Sequence, residues 1–265
     1  QKTDGNFKIR KEKPMKNYKS IICVVAAVCL LGTAAFCGFR IYHYYAEVDE
    51  QTEAFEEIAE MVEQAPTDET VPDDAPVSEG EDVLAKYQEL YLQNEDMVGW
   101  ISIAGTTINY PVMQSRNNPN FYLKHNFEKE YSDLGTPYVQ ENCDVQLPSD
   151  NVIIYGHHMK NGTMFAKLLK FREESFLKKH HVIILYTPKK TMHLKVISSY
   201  AVKAQDQMPI TFANEMQKKE YITKIRRMSE PSIKLDDKKI DRIYTFVTCS
   251  YERDDNRTYV HAVEE

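Results

Sequence analysis

Cysteine is scarce in this chain. Five occur in 265 residues, and Cys23, Cys29 and Cys37 fall inside one apolar run, leaving only Cys143 and Cys249 elsewhere. Two thiols do not make the disulfide framework of a small exported domain. A single Cys143–Cys249 bridge stays open, with Cys143 read as free and structural. CxxC and HExxH spacings are absent. A zinc site assembled from His157, His158, Cys143 and Cys249 therefore has no pattern behind it, and no metal is expected. The chain also lacks a patch in which basic and aromatic residues interleave, and its formal net charge is -7. Nucleic acid is not an expected partner. From Glu47 to Asp82 there is no Lys or Arg at all.

What is present begins with Ile21 to Phe39, an uncharged apolar run. It is long enough to cross a hydrocarbon core of about 30 Å, which makes membrane lipid its expected partner. Lys2, Lys8, Arg10, Lys11, Lys13, Lys16 and Lys19 precede the run and an acidic segment follows Arg40. This asymmetry puts the N-terminus in the cytoplasm and the remainder outside. The run is long for a signal-peptide core and no A-x-A-like site follows it cleanly, so an uncleaved signal-anchor is expected. Val48, Phe55, Ile58 and Val62 fall near helical spacing, which suits a stalk helix or a weak dimer contact. Pro66, Pro72 and Pro76 interleaved with acids then read as an extended spacer. The expected division is a basic N-terminus over 1–20, the membrane segment over 21–39, a stalk and linker over 40–82, and a folded domain over 83–265.

Within that domain, Arg242 to Thr248 are rich in β-branched and aromatic residues, so a strand delivers Cys249 to its rim. Glu252 to Asn256 make a turn, and Arg257 opens the returning strand. There a fixed guanidinium can face the sulfur and stabilise the oxyanion formed when a thiolate attacks a carbonyl. A cysteine nucleophile also needs an imidazole. Val152 to Tyr155 read as a buried strand, Gly156 permits a sharp exit, and His157 sits at its mouth. His158 is the alternative, whereas His125, His180, His181, His193 and His261 read as surface or satisfied strand histidines. Cys249, His157 and Arg257 are the candidate catalytic set.

These segments, YGHHMKNGTMF, TFVTC and the arginine of DDNRTYVH, resemble the class B sortases of Gram-positive bacteria. The resemblance runs from about Trp100 to Val263. It implies a cysteine transpeptidase with no cofactor, in which Cys249 attacks the threonine carbonyl of a C-terminal sorting motif on a secreted protein. A peptidoglycan cross-bridge amine or a pilin lysine then resolves the thioester. It also suggests Asn118, Leu123, Ile210, Val247 and Thr248 as the substrate groove. Strands are expected at Trp100 to Ile103, Thr107 to Val112, Thr136 to Val139, Val182 to Tyr186 and His193 to Val202. Helices are expected over Val83 to Gln93 and Met164 to Phe171, with a longer one capped by Asn214 and Gln217 and stopped before Pro231. The fold expected is a mainly β, closed, antiparallel barrel decorated with helices. A secreted cysteine protease that finishes with water, or a non-catalytic surface binding module, are the alternatives.

Overall fold

Among the described residues, the β-branched and aromatic stretches of the folded domain become eight strands that close on one another. In the computed structural model, which describes residues 18–64, 89–145, 149–204, 208–233, 240–250, 252 and 254–265, the chain divides into two units, Gln1–Glu50 and Gln51–Glu265. The basic residues from Lys2 to Lys16, the side chain of Val62, the spacer from Pro66 to Glu81 and the start of the helix expected at Val83 lie outside the described residues.

Helix α1 spans Tyr18–Gln64. Its first part displays large apolar side chains, with Leu30 and Leu31 more than 70% exposed. It is the one helix among the described residues long and apolar enough to cross a membrane. The later part has a different cover. Phe55 and Ile58 are buried, the Phe55 ring meeting Tyr110 edge-on at 5.4 Å and Ile58 joining a core with Leu90, Met97, Trp100, Met113 and Tyr122. Ser132 also donates its hydroxyl to Gln51 Oε1. The apolar spacing that suggested a stalk or a dimer contact is thus covered at Phe55 and Ile58 by the chain's own barrel. Each such burial contributes about 1.5–3 kcal/mol.

The strands are β1 (Met97–Ser102), β2 (Asn109–Met113), β3 (Tyr138–Val139), β4 (Asn151–Tyr155), β5 (Val182–Tyr186), β6 (Thr191–Lys203), β7 (Ile243–Ser250) and β8 (Asn256–Glu264). They close as a barrel in the order β1-β2-β3-β4-β7-β8-β6-β5. Two joints, β2·β3 and β4·β7, are parallel, and the others are antiparallel. Gly105 turns the first hairpin at φ +73°, a conformation that disfavours a side chain. β3 is shorter than the composition suggests because Thr136 is used elsewhere. Its N–H donates to Tyr122 O and its hydroxyl to His125 O, which takes it out of the ladder.

Among the helices, the short helix expected over Met164 to Phe171 is a 3-10 helix at Phe165–Arg172, followed by α2 (Glu174–Lys179). Helix α3 (Glu215–Met228) begins as its capping signal predicts, the Asn214 side chain accepting from Gln217 N–H. Its buried Ile225 faces the barrel, and Ser198 donates to the Ile225 carbonyl at 2.6 Å.

Candidate active site

The parallel joint between β4 and β7 decides what can meet. Tyr155 lies opposite Val247, so two further residues along each strand lead to His157 and Cys249 at the same rim. Gly156 makes the exit possible. Its N–H still donates to Val247 O at 3.1 Å, and a Cβ there would sit 2.5 Å from the Phe165 ring. The antiparallel joint supplies the third group. Cys249 pairs directly with Arg257 across β7·β8, so the two side chains leave the same face of the sheet. Asp255, with φ at 54°, closes the intervening turn in the left-handed region.

A cavity of about 740 Å³ is lined by His157, Cys249 and Arg257 together. Leu123, Ile210, Val247 and Thr248 also line it, so four of the five groove residues expected from the resemblance meet the candidate triad. Asn118 does not. Its carbonyl accepts from Phe121 N–H at 3.1 Å and starts a 3-10 turn, which leaves Pro119 and Asn120 at the wall instead. The Thr248 hydroxyl is buried and has no hydrogen bond among the described residues.

His157 is half-buried and its Nε2 donates to Leu123 O at 2.7 Å. A carbonyl only accepts, so this contact fixes the proton on Nε2 and leaves Nδ1 as the basic nitrogen of the neutral ring. Burial pushes the pKa below the ordinary histidine value, and the Lys124 charge adds to that. The Leu123 carbonyl and the Asp133 carboxylate act in the opposite direction but less strongly. His158 has a distinct place: its Nδ1 donates to the backbone carbonyl of Cys249 at 3.0 Å. The two adjacent histidines thus hold the site from different sides.

The thiol of Cys249 is partly accessible. Arg257 donates through Nη1 to Asn256 O at 3.2 Å, and Nη2 lies 3.4 Å from Asp255 Oδ1. That ion pair is partly solvated and contributes at most about 1 kcal/mol. It does not prevent the guanidinium from facing the cavity. Cys143 is also free. It is buried, its thiol donating to Asn151 O at 3.5 Å, and burial pushes its pKa up. Its surroundings suit a packing role.

Two tyrosines in the lining escaped the sequence reading. Tyr138 and Tyr155 pack with ring centroids 5.5 Å apart, and their hydroxyls donate to Asn120 Oδ1 at 3.0 Å and Gln140 Oε1 at 2.8 Å. Burial raises both phenols, Tyr155 to about 12, so both stay neutral donors. Tyr138 is within electrostatic reach of Cys249 and of Arg257. Both fall inside strands expected from the sequence, Tyr155 in Val152 to Tyr155 and Tyr138 in Thr136 to Val139; their meeting in the lining depends on the β3·β4 pairing, which no local pattern shows.

A Sortase domain family matches residues 101–265. Sortase B of Listeria monocytogenes is 31% identical over 176 residues, covering 65% of this chain and 70% of that protein. Sortase B of Staphylococcus aureus is 27% identical over 236 residues, 89% of this chain and 91% of that protein. The solved Staphylococcus aureus sortase B–substrate complex superposes with a TM-score of 0.67 at 25% identity, covering 82% of this chain and 97% of that one. The barrel, the cysteine at the rim of β7 and the family match converge: this chain belongs to the sortase family, as a cysteine transpeptidase of class B.

Proposed function

We propose that the chain is a membrane-anchored sortase that cleaves a C-terminal sorting motif after threonine in secreted proteins and passes the acyl group to an amine. The observation that carries the reading is the directly opposed Cys249–Arg257 pair sharing one cavity with His157. His157 Nδ1 takes the thiol proton as Sγ attacks the threonine carbonyl. Arg257 holds the negative charge that develops on the carbonyl oxygen. The tetrahedral intermediate collapses to a Cys249 thioester as His157 returns the proton to the departing amine. In the second half an incoming amine attacks the thioester and gives its proton to His157, the C–S bond breaks to leave the new amide, and His157 returns the proton to Cys249 Sγ.

Both substrate classes have support in solved relatives, one being a sortase B–substrate complex and another a sortase B complexed with triglycine. The acceptor proposed here is a peptidoglycan cross-bridge amine or a pilin lysine. Leu123, Ile210, Val247 and Thr248 form the groove for the sorting peptide. Residues 21–39 anchor the chain in the bilayer, with the basic N-terminus in the cytoplasm and the barrel outside. Protease added to intact cells should then degrade the region beyond Pro66, and protection of that region would reverse the orientation. The function itself is tested with the full chain in detergent micelles, a panel of xPxTx pentapeptides, and product analysis with and without triglycine. Transpeptide formation is expected with triglycine. Hydrolysis alone at every amine concentration would instead make the enzyme a protease.

A further inference from the structure

Beneath the cavity, a chain of buried side chains runs from β6 to the groove wall. Tyr200, Thr245, His261 and Asn151 lie on four different strands, β6, β7, β8 and β4, and Asn151, Thr245 and His261 are fully buried. Asn151 Nδ2 donates to Pro209 O at 2.9 Å, and its backbone N–H donates to Ile210 O at 3.0 Å. One residue thus grips two successive carbonyls of a segment that lines the cavity. Asp150 adds a third hold, its Oδ2 accepting from Phe212 N–H at 2.9 Å.

The direction of every hydrogen bond in the chain follows from that first contact. Pro209 O only accepts, so the amide nitrogen of Asn151 faces it and Oδ1 faces Thr245 Oγ1, 2.7 Å away. An amide oxygen only accepts, so the Thr245 proton points to Asn151. Thr245 Oγ1 therefore accepts from His261 Nδ1 at 2.8 Å, and His261 Nε2 accepts from the Tyr200 hydroxyl at 3.0 Å. A neutral imidazole with its proton on Nδ1 satisfies both contacts, and complete burial favours the neutral ring. Four donors point one way, each polarising the next, and the last is aimed at the groove.

We propose that Asn151 is a positioning residue for the substrate groove, its amide locked by the buried Thr245–His261–Tyr200 chain so that Pro209 and Ile210 are held at the contour the sorting peptide meets. The inference rests on the groove assignment made above. It concerns residues that touch neither the thiol nor the peptide. Substrate affinity should therefore depend on a hydroxyl buried below the groove, while the intrinsic reactivity of Cys249 should not.

The variants Thr245→Val and Thr245→Ser test this in the full chain. Valine keeps the shape and removes the hydroxyl, whereas serine keeps the hydroxyl. Thr245→Val should raise KM for a cleaved pentapeptide about fivefold, the effect of one lost hydrogen bond, with kcat and the rate of Cys249 alkylation by iodoacetamide unchanged. Thr245→Ser should restore the wild-type KM. In hydrogen–deuterium exchange, residues 208–213 of Thr245→Val should exchange severalfold faster while strand β6 keeps its protection. An unchanged KM in Thr245→Val overturns the proposal, as does equal acceleration of exchange throughout the barrel. If the wild-type chain turns over no peptide, the proposed reaction falls, and local against global exchange then decides the positioning role alone.

Discussion

Two polar clusters in this barrel contain a histidine, and they are built to opposite rules. Around His261 every bond is closed: Tyr200, Thr245 and Asn151 match donor to acceptor in one direction, and the cluster is sealed from solvent. Around His157 the valences are left open. One ring nitrogen is spent on Leu123 O, the other makes no hydrogen bond among the described residues, and the thiol and guanidinium nearby are partly exposed. Burial lowers both imidazoles, but only one has a free basic nitrogen beside a cavity. A satisfied network stabilises and positions. An unsatisfied one is available for chemistry.

The largest effects should come from the open cluster. Cys249→Ala should abolish acyl-enzyme formation in an intact-mass assay while the thermal midpoint stays near that of the wild type, since a small change at a strand end removes little packing. Arg257→Ala should lower kcat about 100- to 1000-fold, with KM little altered, if the guanidinium acts on charge that develops only during attack. Arg257→Lys should recover little, because a compact ammonium on a flexible stem lacks the planar fork. Near-normal kcat in both would leave the oxyanion to backbone amides.

The adjacent histidines sharpen the comparison. His157→Ala should remove the proton carrier and cripple turnover. His158→Ala should cost far less, about fivefold in kcat, because it removes one hydrogen bond of about 1 kcal/mol to the Cys249 carbonyl. Equal losses in the two variants would mean that positioning, not proton transfer, limits the reaction.

Much of this was legible in the sequence for a physical reason. β7 and β4 are dense in β-branched and aromatic residues, so the strand ends that carry Cys249 and lead to His157 are readable from composition, and both residues lie in the cavity lining. The Asn214 cap marked the start of α3 because a cap is a local hydrogen bond. What escaped depends on distant partners. No periodicity signals that β4 and β7 are parallel, and that joint brings the strand ends together. The burial of Phe55 and Ile58 is a tertiary contact, and helical spacing fits a covered face as well as a stalk. Asn118 belongs to the same segment as Pro119 and Asn120 but is not in the cavity lining, its carbonyl accepting in a turn that no local pattern shows. His261 reads as a strand histidine, and nothing local reveals its two hydrogen-bond partners, Thr245 and Tyr200, or the link through Thr245 to Asn151.

The closed cluster makes its own, smaller predictions. His261 has a folded pKa near 3 against an ordinary 6.5. Above about pH 6.5 both folded and unfolded states are neutral there; below it only the unfolded state gains the proton, so stability falls as pH drops toward 3. The loss is at most about 1.4 kcal/mol per pH unit from this group, and His157 acts in the same direction. Thermal melts from pH 6.5 to 5 should show a declining midpoint, and His261→Gln should flatten part of that slope. An unchanged slope would remove His261 from the account. Smaller still, Asp133→Asn removes a charge that supports protonated His157 and frees Lys124 to oppose it. The acid limb of kcat/KM should move to lower pH at low salt and return at high salt.

The contrast between an open and a closed histidine cluster is tested most directly by intact-protein mass spectrometry of the full chain during turnover of a cleavable sorting peptide. A mass increase equal to the peptide fragment ending in threonine is expected, mapped to Cys249, removed by hydroxylamine, and discharged by triglycine into a new amide product. It should be absent from Cys249→Ala and present at wild-type extent in Thr245→Ser. Turnover without any adduct, or an adduct on another residue, would contradict the assignment of Cys249 as the nucleophile and with it the site described here.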